Sequence, residues 1–312
     1  MVPIYNEEAA LAPFIAAIDA ALSDQPVTLE LLFVDDGSRD GSWRRLRTMA
    51  AADARIRCLR LARNHGKEAA LTAGLDHATG DVVIPIDVDL QDPPALIPTL
   101  LDHWRDGYDI VNAHRADRSS DGRLKRWSAA AFYWVFNKLS SRVKLTPNVG
   151  DFRLMDRRVV DIITQMRERN RFMKGLFAWP GFATATVDYR RQPRTRGNSK
   201  WPAWRLVDLA LDGIFGFSPV PLRLMLWLGL TITGLAFAYG GGLVIRTLVF
   251  GIDLPGYASM MAVILFLGGM QIAAIAVVGE YVGRVLTETQ GRPIYIVSES
   301  LEPGGTSGDA DR

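Results

Sequence analysis

Along the first 115 residues, short apolar runs alternate with amphipathic stretches. Leu29–Val34 is an apolar run expected of a buried strand, and Ile56–Leu61, Asp81–Ile86 and Tyr108–Ala113 read as further strands. Glu7–Leu22 sets Leu11, Phe14, Ile15, Ile18 and Leu22 on one face at helical spacing, and Gly41–Ala52, Gly66–His77 and Pro94–Arg105 also read as helices. Strands and helices alternating at this pitch predict an α/β domain of βαβ units around a mostly parallel sheet. Ligands on such sheets bind beyond the carboxyl ends of the strands. Asp35-Asp36 and Asp87-Val88-Asp89 each close a predicted strand at such an end. Val2-Pro3-Ile4-Tyr5 reads as the tail of a first strand that is very short or whose start was assigned late.

From residue 222 the pattern changes. Leu222–Phe250 carries only Arg223 and Arg246, and Tyr257–Val278 carries no charge. Each is long enough to cross a hydrocarbon core, which takes about 20 apolar residues, and each is apolar on every face rather than along one stripe. The short Gly251–Gly256 link makes the pair a two-span hairpin. Arg205 and Arg223 precede it, Arg284 and Arg292 follow it, and the link carries Asp253. The positive-inside bias therefore predicts a multi-pass protein of the cytoplasmic membrane with both termini in the cytoplasm. Met1–Ala10 is polar and acidic, unlike a secretory signal. Arg123–Arg142 and Pro202–Phe217 mix basic, aromatic and apolar positions, a composition that suits the membrane interface or, for 123–142 equally, packing on the sheet domain. The expected organisation is a catalytic domain over 1–200, an interfacial helix over 201–221, two transmembrane helices over 222–286 and a cytoplasmic tail over 287–312. Glu302–Arg312, rich in Gly and Asp, is expected to be disordered.

Composition narrows the function. The 312 residues carry a formal net charge of +2, which argues against a dedicated nucleic-acid binder. Cys58 is the single cysteine, so no intrachain disulfide forms, and it reads as a small buried strand residue. Gly268-Gly269 and Gly279/Gly283 offer small-residue faces through which neighbouring copies could associate as a homo-oligomer.

The strongest chemical signal is Asp87-Val88-Asp89-Leu90-Gln91-Asp92-Pro93-Pro94. Two carboxylates at a strand end suit a hard divalent cation that bridges to phosphates, and such a cation neutralises a departing diphosphate. Asp35-Asp36-Gly37-Ser38 could accept hydrogen bonds from a base or ribose, or form a turn with a helix cap. Pro3-Ile4-Tyr5-Asn6-Glu7 could line a base pocket, or Glu7 could only start a helix. Arg63-Asn64-His65-Gly66-Lys67 brings cations and backbone amides to a helix start, which suits phosphate.

Together these motifs resemble the family 2 glycosyltransferases with a GT-A, Rossmann-like fold. Val149-Gly150-Asp151-Phe152-Arg153-Leu154 is similar to that family's Gly-Asp-Phe-Arg-Leu element, and Arg194-Thr195-Arg196-Gly197-Asn198-Ser199-Lys200-Trp201 to its Arg-x-x-Gly-x-Ser-Lys element. The closing hairpin marks the polyprenyl-phosphate glycosyltransferases, the subgroup of undecaprenyl-phosphate glucosyltransferase, related to dolichyl-phosphate mannose synthase. The resemblance implies that Asp87, Asp89 and Gln91 hold Mg2+ or Mn2+ and the donor diphosphate. It implies that Pro3, Tyr5, Glu7, Asp36 and Lys67 frame the nucleotide, and that Arg194 and Lys200 close over the phosphates. Arg115 and Arg126 would grip the lipid phosphate, and Asp151 would sit near sugar and acceptor as a base or a positioning residue. The implied reaction is inverting transfer of a sugar, glucose from UDP-glucose first, onto polyprenyl (undecaprenyl) phosphate at a lipid bilayer. Another sugar (GDP-mannose or a UDP-linked aminosugar) and a non-processive polysaccharide-assembly transferase remain the alternatives.

Overall fold

The computed structural model describes residues 1–116, 123–140, 143–190, 216, 218, 220–250, 256–302 and 307–308. Its N-terminal portion holds β1 (Val2–Ile4), α1 (Leu11–Leu22), β2 (Leu31–Asp35), α2 (Ser42–Ala52), β3 (Ile56–Leu61), α3 (Lys67–His77) and β4 (Val82–Val83). A 3-10 turn at Pro94–Leu96 leads into α4 (Ile97–Arg105), followed by β5 (Ile110–Arg115), α5 (Arg123–Leu139), β6 (Val149–Asp156), α6 (Arg157–Gln165), α7 (Met173–Ala178) and β7 (Thr184–Tyr189). Two long helices, α8 (Val220–Phe250) and α9 (Tyr257–Thr289), precede β8 (Val297–Leu301) and β9 (Ser307–Gly308).

The strands form two sheets, β1-β2-β3-β8-β9 and β4-β6-β5-β7. The expected βαβ units appear as parallel pairing of β1 with β2, and of β2 with β3 at Leu31↔Ile56 through Asp35↔Arg60. Elsewhere the pairing is mixed rather than mostly parallel, because β6 runs antiparallel to both β4 and β5. A parallel return needs a crossover helix packed on the sheet. Helix α5 instead gathers Phe136, Val143, Leu145 and Phe172 into a small cluster of its own, so the chain comes back antiparallel.

Two prolines move element boundaries. Helix α1 starts at Leu11 rather than Glu7, since Pro13 lacks an N–H and is tolerated only in a first helical turn. The strand expected over Asp81–Ile86 is regular only at Val82–Val83 because Pro85 breaks the ladder. Its continuation still bonds the first strand: the Met1 amine donates to the Ile84 carbonyl at 3.0 Å, and Ile86 N–H donates to the Met1 carbonyl at 3.1 Å.

The main core lies between the first sheet and helices α1, α2 and α4, with Phe14, Phe33, Leu46, Leu100 and Phe152 fully buried. A second cluster under α3, α6 and α7 holds Val34, Leu71, Met155, Ile163 and Leu176. Cys58 is buried in β3, and burial pushes its thiol up to about 12.

Helices α8 and α9 are long and apolar enough to cross a membrane over Val220–Gly242 and Phe266–Thr289. Many of their apolar side chains are exposed among the described residues: Phe237 is 78% and Ile272 72% exposed. The chain then returns to the first sheet, where β8 pairs antiparallel with β3. That strand was absent from the sequence-based expectation, and β9, within the expected disordered tail, pairs with it at Ser300↔Gly308. Side chains near the membrane helices reinforce the return. Glu288 accepts from Arg169 N–H at 2.7 Å, Tyr295 donates to Asp76 at 2.8 Å, and Tyr281 donates to the Ser218 carbonyl at 2.8 Å.

Candidate active site

The carboxyl ends of β1, β2 and β3 are stapled to one another. Asn6, at φ 57°, receives Arg39 N–H on its side-chain oxygen at 2.8 Å and gives its own N–H to the Ser38 hydroxyl at 2.9 Å. Glu7 N–H donates to the Ser42 hydroxyl at 2.9 Å. Gly37, at φ +69°, lies so close to the next loop that a Cβ would meet the Arg63 carbonyl carbon at 2.6 Å. Only glycine fits that approach.

Asp36 organises the third loop. Its two carboxylate oxygens accept His65 N–H at 2.7 Å and Gly66 N–H at 2.9 Å. The side chain is buried, and desolvation holds its pKa above the usual range despite those bonds. Asp35 is likewise raised by burial, accepts Ser38 N–H at 3.0 Å and lies 3.5 Å from Arg60. Gly66 at φ +95° then turns the chain into α3, which makes Lys67 its first residue.

Lys67 is the centre of the site. Its ammonium lies 2.8 Å from Asp87 and 2.7 Å from Asp151, so three sequence-derived candidates from separate elements converge in one constellation. Burial works against the lysine charge, but Asp151 and then Asp87 outweigh it and hold the pKa above the ordinary value. Burial alone would raise the Asp151 pKa, but attraction to Lys67, and less to Lys174 and Arg153, holds that carboxyl below its usual range. Glu68, one residue on, accepts Met173 N–H at 3.0 Å. Desolvation, then repulsion from Asp151, pushes its pKa up to about 7.

The Asp-Val-Asp turn lies on the same edge. Asp89 accepts Gln91 N–H at 3.1 Å, which folds the turn back, and Leu90 sits at φ 58°, a left-handed conformation rare for a branched apolar residue. Backbone strain of this kind concentrates where structure must present groups to a ligand. Gln91 is buried and its amide nitrogen has no partner among the described residues. Asp92 faces another way, accepting from the Tyr189 hydroxyl and so tying the turn to β7. Among the described residues no three metal-ligating side chains form a preformed cage. Two carboxylates on a strained turn fit a hard divalent ion whose remaining ligands come from phosphate oxygens and water.

Tyr5 is 42% exposed beyond β1, next to half-buried Pro3 and exposed Glu7, so these three line the rim rather than the floor. Arg115 ends β5 half-buried, with its N–H on the Asn148 carbonyl at 3.1 Å. Arg126 belongs to α5, and its side chain, like Arg194, Lys200 and all but Gly216 of the helix expected over Pro202–Phe217, lies outside the described residues. Arg153, Lys174 and Glu68 sit beside Asp151 without having been singled out as ligands from sequence. Arg153 was visible within the Gly-Asp-Phe-Arg-Leu element, whereas nothing in the local pattern marks Lys174 or Glu68.

The profile of Glycosyl transferase family 2 matches residues 1–163, and that of the GtrB C-terminal hairpin matches residues 220–285. The chain is 48% identical over 300 residues to the SfII prophage-derived bactoprenol glucosyl transferase of Shigella flexneri, covering 96% of this chain and 97% of that protein. It is 47% identical over 297 residues to the prophage bactoprenol glucosyl transferase homolog of Escherichia coli K12, covering 95% and 97%. Among solved structures, glucosyl-3-phosphoglycerate synthase of Mycobacterium tuberculosis with Mn2+, UDP-glucose and phosphoglyceric acid is similar at 21% identity and a TM-score of 0.44, covering 69% of this chain and 76% of that one.

Proposed function

For a chain that belongs to glycosyl transferase family 2, we propose transfer of glucose from UDP-glucose to a polyprenyl phosphate of the undecaprenyl class, at the cytoplasmic face of a membrane. The observation that carries this reading is the Asp87–Lys67–Asp151 constellation beside the Asp-Val-Asp turn, in a chain that also bears an apolar two-helix hairpin. The names of relatives nearly half identical over almost the whole chain point to the same acceptor and sugar.

Asp87 and Asp89 would hold a divalent cation, Mg2+ or Mn2+, with Gln91 behind them; when bound, the ion neutralises the leaving diphosphate as a Lewis acid. Tyr5 and Pro3 would face the base, and Asp36 would act by shaping the Arg63–Lys67 loop around the nucleotide. Arg115 and Arg126 would attract the acceptor's phosphate, and Arg194 and Lys200 the donor's. An acceptor phosphate oxygen attacks the anomeric carbon as its bond to the diphosphate oxygen breaks. That electron pair leaves with UDP, and the sugar is inverted. A phosphomonoester has its second pKa near ~6 and arrives already ionised, so no strong base is required. A carboxylate held below its usual range by Lys67 is a weak base, which favours a positioning role for Asp151.

The reading puts both termini in the cytoplasm, which the basic residues flanking the hairpin and Asp253 in its link support through the positive-inside bias. The second helix is bonded back to the catalytic portion, so it would hold the strand ends near the headgroups. Proximity of this kind can contribute about 7–11 kcal/mol to barrier reduction when reactants are well aligned. The test is a panel of radiolabelled nucleotide sugars with the purified protein, undecaprenyl phosphate and Mg2+ or Mn2+. Label from UDP-glucose entering the organic phase is the expected result; label from GDP-mannose or an aminosugar donor alone would replace glucose.

A further inference from the structure

The turn that carries Asp87 and Asp89 is held on both sides by residues from other elements. Upstream, Lys67 lies 2.8 Å from Asp87. Downstream, Asp92 is 6% exposed and accepts from the hydroxyl of Tyr189, the last residue of β7. Between them Leu90 keeps its left-handed φ of 58°, a conformation that persists only where the surroundings over-determine it. The 3.1 Å bond from Gln91 N–H to Asp89 is internal to the turn, so it fixes the turn's shape and not its place on the sheet. Asp92 is not spent as a helix cap: the 3-10 turn that follows begins after Pro93 and has no side-chain cap among the described residues.

The pattern of β7 delivers Tyr189 to that carboxylate. Thr184, Thr186 and Asp188 are exposed, whereas Ala185, Val187 and Tyr189 pack against the main core. At the final inward position a tyrosine keeps its apolar ring on the core and extends its polar tip beyond it. The ring meets Phe152 edge-to-face, with centroids 6.2 Å apart and planes at 88°. β5 lies between β6 and β7 and contributes the small Ala113 to the same core, which leaves room for the two rings to meet. Phe152 is 1% exposed and directly follows Asp151. The backbone pins this end of β7 as well: Arg115 and Tyr189 are register partners, and Ala116 N–H donates to the Tyr189 carbonyl at 3.0 Å.

One side chain therefore touches two sequence motifs, the Asp-Val-Asp turn through its hydroxyl and the Gly-Asp-Phe-Arg-Leu strand through its ring. Lys67 joins the same two motifs by charge, at 2.8 Å from Asp87 and 2.7 Å from Asp151. An ammonium is a point charge that leaves orientation loose. A hydroxyl bond is directional, and so is an edge-to-face ring contact. The pair Lys67 and Tyr189 thus supplies attraction and aim separately.

We propose that Tyr189 is a positioning residue for the divalent-cation site: by bonding Asp92 and bracing on Phe152, it holds the Asp87–Asp89 turn in place against the strand of Asp151. The assignment rests on the transferase reading above. Tyr189 acts through Asp92 and is not itself a ligand. Outer partners that orient metal-binding groups are worth about 10- to 100-fold in metal affinity.

The test is Mn2+ binding to the whole chain in detergent with UDP present, read without turnover from the electron paramagnetic resonance signal of free Mn2+. The proteins are wild type, Tyr189→Phe, Asp92→Ala, Asp92→Asn and the Tyr189→Phe/Asp92→Ala double variant. Tyr189→Phe keeps the ring on Phe152 and removes only the hydroxyl. Its Mn2+ dissociation constant is expected to rise about 10- to 100-fold. The double variant should lose no more than the worse single one, because both substitutions break the same link. Glucose transfer by Tyr189→Phe should recover as Mn2+ is raised, with the KM for undecaprenyl phosphate unchanged. Equal Mn2+ affinity in wild type and Tyr189→Phe, or fully additive losses in the double variant, overturns the assignment. Asp92→Asn keeps an acceptor oxygen for the hydroxyl and provides a check that does not depend on Tyr189→Phe folding. It should bind Mn2+ about 10-fold or more tightly than Asp92→Ala, and equal affinity of those two also overturns the assignment. A wild type that binds UDP and no Mn2+ would instead remove the cation site itself, an outcome distinct from normal wild-type binding with an unaffected variant.

Discussion

Lys67→Met removes the cation between two carboxylates while keeping the side chain's length. At 2.8 and 2.7 Å, with an effective dielectric constant near 20, each contact corresponds to about 6 kcal/mol of bare attraction. Most of this is offset by desolvating the charges, and the lysine side chain is still 37% exposed, so solvent screens the remainder. A net loss of about 1–3 kcal/mol of stability is expected. Catalysis suffers more, because the positive charge beside the departing diphosphate is gone; losing one preorganised electrostatic contact lowers kcat by about 10²–10³. The pH dependence gives the sharpest signature. In the wild type, Asp151 is held below its unfolded pKa, so its stabilising contribution is present above that value and is lost as pH falls through the folded one. Without Lys67, desolvation dominates and the Asp151 pKa rises, which moves the acid limb of the rate profile to higher pH. The assays are kcat/KM from pH 5 to 9 and thermal unfolding in the same detergent. A variant whose profile superimposes on the wild type, with less than about threefold loss of rate, would refute the view that Lys67 controls Asp151.

Three further outcomes follow from the geometry. The Glu68 pKa, raised from 4.5 to about 7, means the fold prefers its protonated form; its contribution is complete below pH 4.5 and lost as pH rises through 7, by at most about 3 kcal/mol. Glu68→Gln should therefore flatten the fall in thermal midpoint between those values, and an unchanged slope would contradict it. Gly37→Ala should destabilise by about 1–3 kcal/mol, since φ is +69° and the added carbon would lie 2.6 Å from backbone; an unchanged melting midpoint would count against the stapled loops. Ending the chain after Thr289 removes β8 and uncovers the β3 edge. Aggregation is expected by gel filtration in detergent, and a monodisperse, active product would show that the return strand is dispensable.

How far the sequence disclosed this arrangement depends on the range of the interactions involved. Helices α2 and α3 and strand β3 were legible because their periodicity is local. The two long apolar helices were legible because a membrane demands length and uniform hydrophobicity. Pro13 and Pro85 shifted boundaries for reasons that are also local, although the strand continuing past Pro85 is held by Met1, far away in sequence. Val297–Leu301 was missed because its pattern is short and half polar, and it becomes a strand only by meeting the β3 edge. The site divides the same way. Asp87, Asp89 and Asp151 carry motif signals, but the meeting of Asp87 and Asp151 at Lys67 is a tertiary fact. For Asp36 the sequence left a nucleotide contact and a structural turn both open, and the bonds of its oxygens to the His65 and Gly66 amides, in a loop distant in sequence, are a tertiary fact. Lys174 lies on a six-residue helix whose sequence gives no cue to its place beside Asp151.

Glucose transfer to a lipid phosphate at this strand edge has a direct chemical test. The most direct measurement is mass analysis of the lipid extracted after reaction of UDP-glucose with undecaprenyl phosphate, for the wild type, the chelated enzyme and Asp89→Ala. A hexosyl undecaprenyl phosphate is expected from the wild type alone, with the Asp89→Ala protein still folded. The same product from Asp89→Ala at the wild-type rate, or no lipid product while UDP-glucose still binds, would contradict it.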